Sequence, residues 1–250
     1  MTFQQLGDYV ERIYSKGQDP SLSSNRPFNN GTATNPPLLR PHGVNRILLF
    51  PGSFNPPHHG HLDLLRHVFE NAGDDLYIVA AIILLTDDSR LEKKIKNREN
   101  PLVLSREYRV NLWRGTGIPV DWAWVYDKTQ DNWETFRDVL VKDLRKDHID
   151  LKFILLGGPD ATSADGSCNP TYWGCSDSIT SDISRPVDFR YPNTLRQISG
   201  CSMWEKVQYD RARLERQIRA RTKGDTASGR SILVEAAATL LTFIEQLNAP

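Results

Sequence analysis

Four short apolar runs, at residues 46–50, 76–85, 120–126 and 151–156, alternate with stretches whose apolar residues recur at helical spacing. Runs that are apolar almost throughout, rather than at every second residue, belong to strands covered on both faces. Strands separated by helices pair in parallel through right-handed crossovers. The pattern therefore predicts an α/β fold built on a Rossmann-like, doubly wound parallel sheet. Helices are expected at 62–71, with Gly73 placed to end the first, and at 104–114, with Leu104, Tyr108, Leu112 and Trp113 on one side. A further helix carries Trp133, Phe136, Val139, Leu140 and Leu144. Ligands of such sheets sit beyond the carboxyl ends of the strands, so the segments that follow residues 50 and 156 are where chemistry is sought.

Outside this core pattern the chain reads less sharply. Phe3, Leu6, Val10, Ile13 and Tyr14 predict a short amphipathic N-terminal helix. Residues 17–43 are rich in Ser, Asn, Pro and Gly, the composition of an extended or mobile connector. This divides the chain into an N-terminal helix and connector, 1–44, and a domain, 45–250. Residues 160–202 are irregular in pattern, 205–223 read as a highly charged helix and 231–247 as an amphipathic closing helix.

Composition excludes several function classes. Lys plus Arg and Asp plus Glu both number 31, so no global basic field points to nucleic acid or an anionic membrane as partner. The longest apolar run, 77–85, is too short to span a bilayer, and the N-terminus lacks the basic and apolar regions of a secretory signal. Cys168, Cys175 and Cys201 are odd in number and show no CxxC spacing, which fits reduced thiols. These features predict a soluble cytoplasmic or nuclear protein. They leave a homo-oligomer open.

The chemistry is concentrated after the first strand, in Gly52-Ser53-Phe54-Asn55-Pro56-Pro57-His58-His59-Gly60-His61. Gly52 permits a tight turn and a close backbone approach to a ligand, while Pro56 and Pro57 stiffen the loop. His58 and His61, three residues apart, face the same side of a first helical turn. Unpaired amides at a helix start attract anions, and two imidazoles beside them suit a polyphosphate. The competing reading, a zinc pair, lacks the third and fourth ligands such a site needs. His59 is read as exposed, and His42, His67 and His148 carry no motif.

The pattern Gly52-x-Phe54-x-Pro56-x-His58-x-Gly60-His61 resembles the signature of the HxGH nucleotidyltransferase superfamily, which includes NMN adenylyltransferases, phosphopantetheine adenylyltransferases and cytidylyltransferases. Several further segments resemble eukaryotic NMN adenylyltransferases. By that resemblance His58 and His61 are catalytic, Gly52, Ser53, Phe54, Gly60, Gly158 and Asp160 contact the nucleotide, and Lys93 or Lys94 contacts the mononucleotide. Residues 105–113 resemble the family's Arg-containing helix. Trp133 and Trp173 would flank a pyridinium base, where stacking and cation–π attraction add. The helical spacing of Trp133 stands equally for a core residue, and Asp160 for a turn former. The substrates implied are ATP and NMN or nicotinic acid mononucleotide, with Mg²⁺ held by the triphosphate rather than by protein ligands, and the products NAD and pyrophosphate.

The resemblance frays after residue 183. The family's late Ile-Ser-Ser-Thr-x-x-Arg segment has no clean copy; Ile198-Ser199-Gly200-Cys201 starts similarly, and Ser228 and Arg230 stand in an eroded version. Losing a preorganised donor to transition-state charge costs about 3 kcal/mol. The alternatives are therefore another superfamily member, a cytidylyltransferase or a phosphopantetheine adenylyltransferase, or a degenerate, non-catalytic nucleotide-binding module. Arg230 or a neighbouring arginine of residues 198–230 reaching the His58–His61 pocket would discriminate against the last.

Overall fold

The computed structural model describes residues 4–16, 26–99, 102–115, 117–163, 166–167, 169–191, 194–199 and 203–204. In chain order the strands are β1 (Gln4–Gln5), β2 (Leu38–Leu39), β3 (Val44–Gly52), β4 (Ile78–Leu85), β5 (Ala123–Tyr126), β6 (Asp150–Leu156), β7 (Thr162–Ser163), β8 (Gly166–Ser167), β9 (Asp177–Ile179), β10 (Arg190–Tyr191) and β11 (Thr194–Leu195). The helices are α1 (Leu6–Tyr14), α2 (His59–Asn71), α3 (Asp88–Ile95), α4 (Arg106–Gly115) and α5 (Gln130–Lys146). Among the described residues no helix is long and apolar enough to cross a membrane.

The central sheet has the order β5-β4-β3-β6-β9, and every neighbouring pair is parallel. The strand alternation explains why β4 is apolar at every position. Ala80, Ile82 and Leu84 enter the core on one face, and Ala81, Ile83 and Leu85 the core on the other. The first face is covered by α1 and α5 through Leu6, Tyr9, Val10, Trp133, Phe136, Leu140 and Leu144. The second is covered by α2 and α4 through Leu62, Leu65, Val68, Val110 and Trp113. This is the doubly wound Rossmann-like sheet that the alternation predicts. Chain order reverses between β3 and β6, which makes the crevice beyond their carboxyl ends the switch point where such sheets bind ligands.

Two departures from the expected elements have plain causes. The described part of the segment read as connector packs against the sheet: Phe28 and Leu39 are fully buried in the same core as α1, and β2 pairs with β1. Two apolar residues are enough to dock it, and so few leave no periodicity to read. In α4 the buried side carries Arg109, Val110 and Trp113, while Tyr108 is exposed. The face expected to be apolar is thus displaced by one position, because an arginine occupies a core-facing site. The short strand β9 and helix α3 have no counterpart in the expected pattern.

The chain separates into compact units 1–187 and 188–250. The first holds the sheet, α1 to α5 and the site described next. In the second, β10 and β11 form an antiparallel pair and the rings of Phe189 and Trp204 lie 5.8 Å apart. The helical patterns at 205–223 and 231–247, with Ser228 and Arg230, and the thiols Cys168 and Cys201, lie outside the described residues. Cys175 is buried and forms no disulfide.

Candidate active site

The loop after β3 is shaped by one aromatic ring. Phe54 adopts a positive φ of 43° and turns its ring back over Gly52. A Cβ on Gly52 would stand 2.5 Å from the Phe54 ring, so the glycine is required by the ring. The ring is buried, with centroids 5.0 Å from Phe50, His61 and Trp113 in edge-on contacts. Phe54 thus supports His61 from behind. The Asn55–Pro56 peptide is cis. Asn55 pins the neighbouring segment: its amide donates to Leu102 O at 2.6 Å, and its carbonyl oxygen accepts from Leu104 N at 2.9 Å.

Arg109 is the second organiser, and composition gives no hint of it. Its side chain is completely buried and donates to Leu104 O (2.9 Å), Ser53 O (2.6 Å), Thr86 O (2.8 Å) and Asp88 Oδ1 (2.6 Å). One guanidinium thereby ties the motif loop, the end of β4, the start of α3 and the entry to α4. The signal available in the sequence is an arginine adjacent to Val110 and one helical turn before Trp113, a position that otherwise faces the core.

His58 is the N-cap of α2, in extended conformation, and its ring stacks on that of His61 with centroids 3.6 Å apart. The His58 N–H donates to His61 Nδ1 at 3.2 Å. An accepting Nδ1 leaves the proton of a neutral His61 on Nε2. Burial first, then the neighbouring His58 ring and Arg185, push the His61 pKa down to about 4, with Asp160 opposing. His61 is therefore a neutral Nε2–H donor at neutral pH. The amides of His59 and Gly60 precede the first intrahelical acceptor and remain available to an anion. A Cβ on Gly60 would crowd the His58 ring at 3.3 Å.

Both strand ends open into one cavity of about 580 Å³, within the range that holds a nucleotide-sized ligand. Gly52, Ser53, Phe54, His58, Gly60 and His61 line it from the β3 side, and Gly158 and Asp160 from the β6 side. Three cations also line it: Lys94, Arg98 and Arg185. Against the single carboxylate of Asp160, the side chains leave a formal surplus of two positive charges. Lys94 Nζ lies 3.3 Å from Ser53 Oγ, and Arg185 pairs with Asp160 at 3.0 Å. Of the two candidate lysines, Lys94 lines the cavity and Lys93 does not. Arg98 and Arg185, with Ser184 beside it, come from stretches without helical or strand periodicity, so pattern reading passes over them.

The tryptophans fall elsewhere. Trp133 is a core residue, 3% exposed, standing edge-on to Tyr126 and Phe153 at centroid distances of 5.5 and 5.6 Å. Of the two readings its spacing allowed, core packing is the one observed, because the first turn of α5 lies directly over the sheet. Trp173 is half-buried against the same core cluster, and its carbonyl accepts from Arg137 at 3.0 Å. Neither indole lines the cavity, so the expected sandwich for a pyridinium ring is not formed in this structure. Among the described residues no three His, Cys, Asp or Glu side chains converge as a metal site.

Residues 49–170 match the model of the family described as cytidylyltransferase-like. The match runs from the end of β3 past Gly158 and Asp160; it includes the His58–His61 motif, Lys94 and Arg109. No curated protein matches the chain.

Proposed function

We propose, for a chain whose residues 49–170 belong to the cytidylyltransferase-like nucleotidyltransferases, that the reaction is transfer of the adenylyl group of ATP to NMN or nicotinic acid mononucleotide. A phosphate oxygen of the mononucleotide attacks the α-phosphorus of ATP; the new P–O bond forms as the bond to pyrophosphate breaks. No covalent protein intermediate is needed, since positioning and charge stabilisation carry such transfers. His61 donates from Nε2 to the triphosphate, His58 and the first amides of α2 complete that cradle, and Lys94, Arg98 and Arg185 offset the charge that develops on the leaving group. Mg²⁺ bound to the triphosphate would draw charge from its oxygens. By the resemblance, Gly158 and Asp160 would contact adenosine, and Lys94 would contact the mononucleotide as well as share in offsetting that charge.

The observation that carries this reading is the convergence of His61, Lys94, Arg98 and Arg185 on one cavity at the switch point of the sheet. Arg185, which lines the same cavity, supports the enzyme reading over a degenerate binding module, while Arg230, the late cation named by the resemblance, lies outside the described residues. The choice of NMN as acceptor rests on the resemblance of Lys94 and the Gly158-Pro159-Asp160 turn to their counterparts in NMN adenylyltransferases.

The experiment is NAD formation and pyrophosphate release from ATP, NMN and Mg²⁺, run beside His61→Ala. Turnover that falls by roughly a hundredfold or more in a folded variant is expected, the cost of removing a donor to transition-state charge. Equal turnover in the variant would refute the role of His61. Thermal-shift comparison of NMN, phosphocholine and phosphopantetheine tests the acceptor: stabilisation by either of the latter two alone would replace NMN.

A further inference from the structure

The structure holds a second cavity of about 580 Å³, which shares no lining residue with the active site. It lies between α5, the amino-terminal half of β6 and the turn that follows Trp173, and four cations line it: Arg137, Lys142, Arg145 and Lys152. We propose that this cavity is a binding site for a compact polyphosphate-bearing ligand, a nucleoside polyphosphate or free polyphosphate, separate from the site of nucleotidyl transfer.

The charge there is not the background of the chain, which carries equal numbers of acidic and basic residues. Arg137 neutralises the cavity's carboxylate, donating to Asp138 Oδ1 at 2.8 Å and to Trp173 O at 3.0 Å. It is held in that posture by Gly174, whose φ is +68° and whose missing Cβ would stand 1.7 Å from the guanidinium. Lys142, Arg145 and Lys152 remain, and none has an ion-pair or hydrogen-bond partner among the described residues. Lys142 and Arg145, three apart on α5, flank the concavity beside Arg137, and a ligand with several closely spaced negative charges can meet all three. Lys152 lies at the rim, since it alternates with Leu151 and Phe153 towards the other sheet face. A bound monophosphate would meet fewer of them.

Arg137, Val141 and Arg145 are spaced by four along α5, as are Asp138 and Lys142, so one helix face presents the set. Partly buried Val141, with Leu151 and Phe153 of β6, gives the concavity an apolar floor. Protection of the sheet edge accounts for Lys152 alone: β9 pairs with β6 only along Ile154–Leu156, and a lysine blunts the edge that is left. It does not account for Lys142 and Arg145 on the facing helix.

The test is calorimetric titration at low salt with two probes, inorganic tripolyphosphate and ATP. Three proteins are compared: wild type, His61→Ala/Arg185→Ala, and Lys142→Ala/Arg145→Ala/Lys152→Ala. Wild type is expected to bind two equivalents and each variant one, with the triple variant retaining nucleotidyl transfer. The three replaced side chains are surface cations, and an unchanged thermal midpoint checks that the fold survives. Should the triple variant unfold, Lys142→Gln/Arg145→Gln takes its place, with a tenfold or greater loss at the second site expected. Tighter filling of that site by ATP than by tripolyphosphate identifies a nucleotide ligand; the reverse identifies free polyphosphate. One equivalent bound by wild type, or two retained by the triple variant, overturns the proposal.

Discussion

Replacing Arg109 by lysine tests whether the site is held by a single buried fork. The guanidinium spends its donors on four acceptors in four segments: Leu104 O, Ser53 O, Thr86 O and Asp88 Oδ1. Lysine keeps the charge but concentrates its three donors on one nitrogen, which cannot stand within reach of carbonyls on opposite sides of a planar fork. At least one of the three backbone carbonyls loses its partner, on the side facing a side chain that is itself completely buried. A buried polar group left unsatisfied costs about 1–3 kcal/mol, and hydrogen bonds to charged groups contribute about 1.5–3 kcal/mol each. Retention of the Asp88 contact offsets part of this, so a loss of about 2–4 kcal/mol is expected. Urea unfolding followed by tryptophan fluorescence reads it as a lower midpoint at unchanged slope. Because Ser53 is one of the ligated residues, tripolyphosphate affinity at the active site is expected to fall as well, even under conditions where the variant is fully folded. A loss below 1 kcal/mol, or a destabilised protein that binds tripolyphosphate as wild type does, would refute the idea that Arg109 builds the loop.

Gly52→Ala forces the Phe54 ring out of a slot where the new Cβ would sit at 2.5 Å; overpacking of this kind costs about 1–3 kcal/mol, and a thermal midpoint equal to wild type would contradict it. Lys94→Ala is expected to weaken triphosphate or mononucleotide binding at least fivefold and Lys93→Ala to leave it unchanged, since only Lys94 lines the cavity; isothermal titration that finds the opposite order reverses the assignment. His61, with its pKa pushed from 6.5 to about 4 chiefly by burial, binds its proton less readily folded than unfolded. Its contribution to stability is therefore present above about pH 6.5 and lost as pH falls towards 4; His61→Gln should flatten that part of the stability profile, and an unaltered profile would show that His61 is not its source. A bound polyphosphate opposes the depression, so triphosphate binding near pH 6 is expected to take up protons, which calorimetry in two buffers of different ionisation enthalpy measures directly.

The parts of this protein that could be read from its sequence are those in which one residue type has one job. Strand β4 is apolar at every position because both of its faces are covered, and no other arrangement of a soluble sheet asks for that. Parallel pairing then sets the segments after β3 and β6 at the same edge of the sheet, where the site is sought, although the strand order itself is not read from the sequence. What could not be read depends on partners distant in the chain. Gly52 is needed because of a ring two residues on that has turned back, which backbone propensity does not encode. The position of Arg109 beside Val110 marks it as facing the core, but its four acceptors lie in segments that the local sequence does not name. Trp133 satisfied a helical spacing and a stacking role equally well, and only the position of α5 over the sheet separated the two. Phe28 and Leu39 were hidden by the polar company they keep, although each is buried as deeply as a strand residue.

A cation outside the segment in which the resemblance places its late arginine bears on how the site handles charge. Arg185 enters the cavity from an irregular segment after β9 and is held there by Asp160, a residue on the opposite strand end. Asp160 pairs with one of the three cations, and half-exposed Arg185 can exchange that carboxylate for a phosphate with little loss, because exposed ion pairs contribute less than about 1 kcal/mol. His61 contributes in the complementary way: neutral by burial, it adds no repulsion to the neighbouring cations, and a nearby anion would make it more basic. Lys94 and Arg98 have no such carboxylate in the cavity, so the surplus of two positive charges at this strand end is a standing one, and it is what a polyphosphate would balance.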